Sequence, residues 1–482
     1  MLTFSIIFLI LSVSIKVTTA VFNVPYQHLY PSAASHKTRS THRQMMSSWK
    51  KLPVPSLAPG TSPVVSPVDF GADPTGLVDS TAAFVAAIAE LLKHNTSGHK
   101  MSDGIIDLGG VVLDLQGGDY LISSPIQIPQ FVGNLRIIDG TIRASSSFPT
   151  TEYVLQIGAS PCKTPSGQGS CNENVGMSGL TIDASHIAQG CLSISSTMGA
   201  TLDSSSAIFG FTGVGILLDG GHESMISETW VAAYFWNDPK KEHSGNTIGI
   251  LIAGNDHFVD NVIVFSGTVG VSLTGEANKL VNVHTWNCAT GNNGIGILNQ
   301  VSQNIFIGCY LDFTDLVLTN AQQISISNGF FLGDAQLVFK APRMGSSIYG
   351  VSIIGNEWYD CSNTALASNE TLGTWTSITD LYVEGTSFCG TSQKAAFSKA
   401  TKVLSTSVNG KVSVDFSDIL LFPNVPIDFA TVTVKTSPTN NIPPSVGQDW
   451  NGQVVDVFVG TTDSVTIFIT ADQSSYTTTR KM

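Results

Sequence analysis

The sequence predicts an all-β protein whose middle winds as a right-handed parallel β-helix, closed by an N-terminal capping helix and followed by a small C-terminal β-sandwich-like module. Three observations predict it. Charged residues make up only 12% of the 482 residues, while Gly alone fills 45 positions; that mix disfavours helical bundles and suits short strands joined by polar turns. Apolar–x–apolar triplets, each ended by a turn and then an aromatic, recur at intervals of 19 to 27 residues: Val281-Asn282-Val283 before Trp286, Ile305-Phe306-Ile307 before Tyr310, Ile324-Ser325-Ile326 before Phe330 and Val351-Ser352-Ile353 before Trp358. That period belongs to repeat architectures. The segments between triplets are too short for a helical crossover, so each coil buries its inward side chains only by stacking on its neighbours. An antiparallel β-sandwich is the competing reading, and it would carry more tight two-residue hairpin signals.

In chain order, Leu2 to Ser14 form an apolar run too short to span a bilayer, and Thr18-Thr19-Ala20 supplies small residues for cleavage. This predicts a signal peptide over residues 1–20 and a secreted, extracellular mature chain with no membrane span. Residues 21–66 are polar, rich in Pro and Ser and without period, as a flexible segment is. Asp79-Ser80-Thr81 then caps a run from Ala82 to Lys93 with Phe84, Ile88, Leu91 and Leu92 at helical spacing, which could cover the open end of a solenoid. The β-helix is expected over 67–394. Beyond it, Val412-Ser413-Val414-Asp415-Phe416, Thr431-Val432-Thr433-Val434 and Val454-Val455-Asp456-Val457-Phe458-Val459 read as strands between turn-rich stretches, predicting the C-terminal module at 395–482.

Seven cysteines, at 162, 171, 191, 288, 309, 361 and 389, leave at least one thiol unpaired within the chain. In an oxidising compartment some pair, and Cys162 with Cys171, flanking a Gly/Ser/Pro loop, is the first candidate. Asn95-Thr96-Ser97 and Asn369-Glu370-Thr371 are glycosylation sequons. No Cys/His spacing resembles a zinc site, and neither metal nor cofactor is expected. The net charge of −13 excludes a basic stripe for nucleic acid and calls for a local basic patch if the ligand is an anionic polymer.

Val68-Asp69-Phe70-Gly71-Ala72-Asp73-Pro74-Thr75-Gly76, followed by Asp79-Ser80-Thr81 and Ala87-Ile88, resembles the opening signature of the pectate-lyase-like β-helix superfamily. Tyr120-Leu121-Ile122, Pro125-Ile126-Gln127-Ile128-Pro129 and Asp139-Gly140-Thr141-Ile142 extend the match. Downstream, Glu228-Thr229-Trp230, Gly254-Asn255-Asp256-His257, Val283-His284-Thr285-Trp286-Asn287 and Gly308-Cys309-Tyr310-Leu311-Asp312 are similar to the divergent plant polygalacturonases of the Quartet-three type. The resemblance covers about residues 66–390. It implies a pectin-hydrolysing enzyme of the cell wall, with pollen separation from the tetrad as its setting. The Asn-Thr-Asp, Asp-Asp, Gly-His-Gly and Arg-Ile-Lys motifs of ordinary polygalacturonases are absent, so their catalytic map does not transfer.

The site is therefore sought from chemistry. Glycoside hydrolysis needs two carboxyl groups about the scissile bond, roughly 6.5–9.5 Å apart in inverting enzymes. Acids at matching turns two coils apart would lie about 9.6 Å from each other. Asp256 and Asp312, each beside an aromatic or imidazole group in an uncharged context, are the expected pair, with Asp315 three residues beyond and His284 as a tuning or hydrogen-bonding group. Asp is equally a turn former. His222 and His257 carry the same two readings as His284, catalytic or structural. Trp230, Trp236 and Trp286 read as sugar platforms or core filling. Glu228 joins the expected substrate-binding set, and Lys340 and Arg343 are the expected contacts for a galacturonate carboxylate, with Lys240-Lys241 either a second cation source or a solvated pair. A Ca²⁺-dependent eliminase, a neutral-glucan hydrolase and a non-catalytic wall-binding helix are the alternatives on this fold.

Overall fold

Strands of three to six residues are too short to bury a face alone, and in this protein they stack into three parallel faces. The computed structural model describes residues 63–94, 98–163, 170–234, 247–286, 294–319, 321–359, 364–387, 397–407, 409–436, 445–460 and 464–475. One central coil runs Lys279–Val281, His284–Trp286 and Gly294–Asn299; the next runs Ile305–Ile307, Tyr310–Asp312 and Thr314–Thr319. Each strand pairs in parallel with its counterpart one coil on. The first and second faces join into a 22-stranded sheet and the third face is ten-stranded. This is the right-handed parallel β-helix expected from the triplets.

Alternation sorts the side chains. Val231, Val264, Thr285, Leu311, Phe331 and Trp358 share one inward column of the second face and are all buried. The aromatics that follow the triplets therefore do not form one column. Tyr310 and Phe330 are in register on the outside, Trp286 is in register with Asp312, and Trp358 points inward.

The corner between the first and second faces turns on a single left-handed residue: Asn261, Asn282, Gly308, Asn328 and Gly355, with φ from 52° to 66°. Asn and Gly tolerate that conformation best. A Cβ at Gly308 would also lie 2.6 Å from Asn282 Oδ1. Beneath the corner between the third and first faces runs an internal polar ladder. His257 Nδ1 accepts from the Ser224 backbone N–H at 3.1 Å, Asn278 Oδ1 from that of His257 at 2.9 Å, and Asn304 Oδ1 from that of Asn278 at 2.7 Å. His257 is a structural member of this ladder.

Both ends of the cylinder are closed. The helix Thr81–Leu91 buries Phe84, Ala87, Ile88 and Leu91 in the solenoid core, Phe84 meeting Tyr120 edge-on at 5.3 Å. Ser80 makes no side-chain cap; Asp79 takes that role, accepting from Thr81 N–H at 3.0 Å and from Ser123 Oγ at 2.6 Å. Asp73 accepts from the backbone of Thr75, Leu77 and Val78, and these bonds, led by the Thr75 hydroxyl, hold its carboxyl down to about 2. The opening signature is thus a scaffold for the cap. At the far end Leu421, Phe422 and Val425 enter the same core, Phe422 meeting Phe339 at 5.9 Å and Trp375 at 6.2 Å.

The C-terminal module has two three-stranded antiparallel sheets, Lys399–Thr406, Val465–Asp472, Phe429–Thr436 and Gly410–Asp415, Val454–Gly460, Ser445–Asn451. They enclose their own core around Phe416, Val457 and Ile467. Cys162 and Cys171 form a disulfide, Cys191 and Cys309 are buried thiols, and the remaining three cysteines lie outside the described residues, as does the expected signal peptide. Among the described residues no helix is long and apolar enough to cross a membrane.

Candidate active site

The outer surface of the second face gathers four of the expected groups, Trp230, His284, Trp286 and Asp312. Its first outward column reads Trp230, Ile263, His284, Tyr310, Phe330 and Glu357, and its second reads Ala232, Phe265, Trp286, Asp312, Leu332 and Tyr359. His284 and Asp312 are diagonal neighbours in adjacent coils. Their Nε2 and Oδ2 atoms stand 3.7 Å apart, an ion-pair separation just beyond hydrogen-bond reach, with side chains 29% and 15% exposed. His284 stacks flat on Tyr310 with ring centres 4.2 Å apart. Burial pushes the His284 imidazole below its usual value and the Asp312 carboxyl above its own, each partly offset by the other. The environment thus favours the neutral form of both. His284 Nε2 and Asp312 Oδ1 are shielded from solvent and have no hydrogen-bond partner among the described residues. Orphaned polar atoms on a face are costly in a fold and mark a place where a ligand or water completes the bonding.

The chain passes from Asp312 to the third face through one left-handed residue, Phe313, so Asp312 and Asp315 flank the same corner. Thr314 points inward to bond Thr285 at 2.9 Å, and alternation turns Asp315 outward. Asp315 Oδ1 accepts from the Gln336 backbone N–H at 2.9 Å. Burial, reinforced by the neighbouring Asp334 carboxylate, pushes the Asp315 carboxyl up to about 6. Asp334 lies at this corner one coil on. The arrangement can hold a proton on one carboxyl and keep another beside an imidazole.

Asp256 is not part of it. It occupies a left-handed turn, φ 59°, before the first-face strand Phe258–Asp260, and its partner across 3.6 Å is His222. Its equivalents in the next two coils are Ala277 and Gln303, whereas Asp312 aligns with Trp286 and Phe265. The expected Asp256–Asp312 pair therefore fails on register: the two acids sit at different corners. Lys340 ends a third-face strand in line with Thr319 and Asn369, and Arg343 lies in the turn beyond. That edge is about 13 Å across the sheet from Asp315 by strand rise, so neither cation meets the corner acids. Glu228 is exposed in the turn between the first two faces, two residues before the exposed Trp230. Trp286 stands in register beside Asp312. Asn369 Oδ1 accepts from the Thr371 hydroxyl at 2.8 Å. Trp236, Lys240, Lys241 and Asn95 lie outside the described residues.

Sequence reasoning passed over Tyr310 and Asp334 as site groups. Tyr310 was legible only as an aromatic at the repeat, and Asp334 only as one acid among many, because the stacking and the shared corner depend on register. Among the described residues no group of three or more His, Cys, Asp or Glu is disposed to hold a metal ion.

Residues 64–293 match the family described as rhamnogalacturonase A/epimerase, pectate lyase-like. The chain is 32% identical over 428 residues to Polygalacturonase QRT3 of Arabidopsis thaliana, covering 87% of this chain and 86% of that protein. Among solved structures, ORF18 of Geobacillus virus E2 is similar with a TM-score of 0.54 at 14% identity, covering 88% of this chain and 79% of that one, a likeness of fold alone. A shared scaffold, a matched opening segment and a relative aligned along nearly the whole length agree: the chain belongs to the pectate-lyase-like family in which Polygalacturonase QRT3 is a member.

Proposed function

We propose that this protein is a secreted glycoside hydrolase of pectic polysaccharide, a polygalacturonase of the plant cell wall acting by inversion at the corner between the second and third faces. One observation carries it: a half-buried carboxyl–imidazole pair, Asp312 and His284, with orphaned polar atoms, flanked by Asp315 and set among outward aromatic rings. Asp315, held protonated to about pH 6, donates to the leaving glycosidic oxygen. Asp312, ionised against the pull of burial with the help of His284, which lowers its carboxyl, acts as the base that takes a proton from the attacking water, and His284 holds that water or a sugar hydroxyl. Three residues of extended chain reach at most about 10 Å, which is compatible with the roughly 6.5–9.5 Å an inverting pair requires. Trp286 and Trp230 supply stacking faces. The pollen-separating role implied by the sequence resemblance fits a wall enzyme, and Asn369 is a proposed glycan attachment site.

Incubating the secreted protein with polygalacturonate and with β-glucan, with and without a chelator, tests this. New reducing ends from polygalacturonate alone, insensitive to chelator and without unsaturated product, are expected. Chelator-sensitive unsaturated product would assign an eliminase instead. Reducing ends from β-glucan alone would assign a neutral-glucan hydrolase, which the scarcity of cations on this face favours. Silence on both substrates would leave a binding protein.

A further inference from the structure

Resting on that hydrolase reading, the His284–Asp312 pair is held open rather than closed. Nε2 and Oδ2 attract each other yet stop at 3.7 Å, beyond the roughly 2.7–3.2 Å of an N–H···O bond. The bond that would satisfy Nε2 is left unmade, and Nε2 has no partner among the described residues. A third group must fix the imidazole where it stands.

Tyr310 is placed to do so. Its ring lies flat on that of His284, with centres 4.2 Å apart and planes 6° from parallel. Phe330 buttresses Tyr310 from the next coil, edge-on at 4.9 Å. Turning the imidazole toward Asp312 would lift it off that stack and forfeit the contact between the faces. Tyr310 also reaches the acid, because it and Asp312 are two residues apart on one strand and point the same way. Burial raises the Asp312 carboxyl, while His284 and then the Tyr310 hydroxyl draw it down. The phenol is itself pushed up, first by burial and then by Asp312. The neighbours in register carry no charge: Ile263 and Phe265 in the preceding coil, Phe330 and Leu332 in the next, and Trp286 beside Asp312. The further acid of this corner is Asp315, beyond Phe313.

We propose that Tyr310 is a positioning residue for the reaction. Its ring fixes the plane of His284, so that the gap to Asp312 stays open for a water or a sugar hydroxyl. Its hydroxyl steadies Asp312 in the ionised form a base requires. A ring that only packed the surface, or only carried a sugar, would leave the protonation of the pair unchanged.

Two variants of the full secreted protein separate ring from hydroxyl. Tyr310→Phe keeps the stack and removes the hydroxyl, so Asp312 holds its proton to higher pH. The acid limb of kcat/KM on polygalacturonate is expected to move to higher pH, with a loss of roughly three- to tenfold on the acid side and KM within about twofold of wild type. Tyr310→Ala removes the stack as well and is expected to lower kcat by roughly ten- to a hundredfold. Titration of labelled histidines by NMR reads the pair without hydrolysis, the His284 signal being assigned by its loss in His284→Gln. Burial is the leading cause that lowers His284, and Asp312 opposes it. The signal should therefore titrate at higher pH in Tyr310→Ala, where one face of the imidazole returns to water. It should titrate at lower pH in Tyr310→Phe, where the help of ionised Asp312 is weakened. If Tyr310→Ala does not fold, the direction of the Tyr310→Phe signal decides alone. A rise in KM with kcat and the acid limb unmoved makes Tyr310 a sugar platform and overturns the assignment, as does a His284 titration that stays at the wild-type pH. The expected titration shifts in a protein that releases no reducing ends keep the positioning role and defeat the hydrolase reading. Reducing ends with neither limb nor titration moved do the reverse.

Discussion

Two histidine–aspartate pairs sit at two corners of the same helix and differ in little but water. His222 and Asp256 approach to 3.6 Å with side chains 47% and 49% exposed; His284 and Asp312 approach to 3.7 Å with far less exposure. An exposed pair of this kind contributes about 0–1 kcal/mol, because solvent screens the attraction. At the second pair burial penalises both charges, shifts both groups toward neutrality and leaves two polar atoms without partners. Residue type and separation are the same, so the two pairs differ in what the surrounding coils exclude. Family membership does not choose between the corners; the register does.

The comparison breaks most visibly on activity. Replacing a general acid or base lowers turnover by roughly 10²–10⁴-fold, so Asp312→Asn is expected to reduce release of reducing ends from polygalacturonate by about that factor. Asp256→Asn, removing the solvated carboxylate, should stay within about twofold of wild type. If the two variants lose activity equally, the corners are equivalent and burial is not the deciding quantity.

Stability against acid sharpens it next, through the histidine buried under the solvated pair. His257 Nδ1 accepts a backbone N–H in the ladder, so a proton there removes an acceptor as well as adding a buried charge. Burial lowers its imidazole to about 4, while the unfolded chain takes up that proton near 6.5. Between those values the unfolded state binds more protons, so stability is present above pH 6.5 and is lost as pH falls toward 4, by about 3 kcal/mol. His257→Asn places Oδ1 where Nδ1 was, matching Asn278 and Asn304 below it. Urea unfolding at pH 7 and pH 4 is expected to show a smaller acid loss in His257→Asn by about that amount. An unchanged acid loss would mean that the ladder histidine is not the titrating group.

How much of this was legible follows from where information about phase is stored. The triplets Ile324-Ser325-Ile326 and Val351-Ser352-Ile353 carry their inward and outward pattern locally, whereas Ile305-Phe306-Ile307 buries only its middle residue; the opening signature with Asp73 and Asp79 carries its own cap, so the helix and its N-terminal closure are readable even where a single triplet misleads. The pairing of Cys162 with Cys171 is a short loop and equally local. Which acids meet is not. Seven residues separate Trp286 from Gly294 at the second corner, and one separates Asp312 from Thr314. Insertions of unequal length erase the constant period needed to count columns, and Asp256 and Asp312 then look alike. His284, Asp312, Asp315 and Trp286 were found from their chemistry; their juxtaposition, and the displacement of Lys340 and Arg343 to the far edge, come only from strand pairing.

The smallest expected effect separates function from stability at the buried corner itself. Asp315 is held near 6, above the usual carboxylate value of 3.8. Its folded pKa is raised, so the stability it contributes is fully present below 3.8 and is lost as pH rises through about 6. At pH 7 the folded protein therefore carries a buried carboxylate at a cost of about 2 kcal/mol, discounted for the part of the group that still meets water. Asp315→Asn is expected to raise stability by about that amount at pH 7, to leave it nearly unchanged at pH 4, and to lower hydrolysis at both. Thermal melts at the two pH values, alongside reducing-end assays, check the sign. Wild-type activity should itself decline above about pH 6 as the proposed acid gives up its proton. Asp256, replaced in the same way, should alter stability by no more than the ~1 kcal/mol of its exposed pairing with His222.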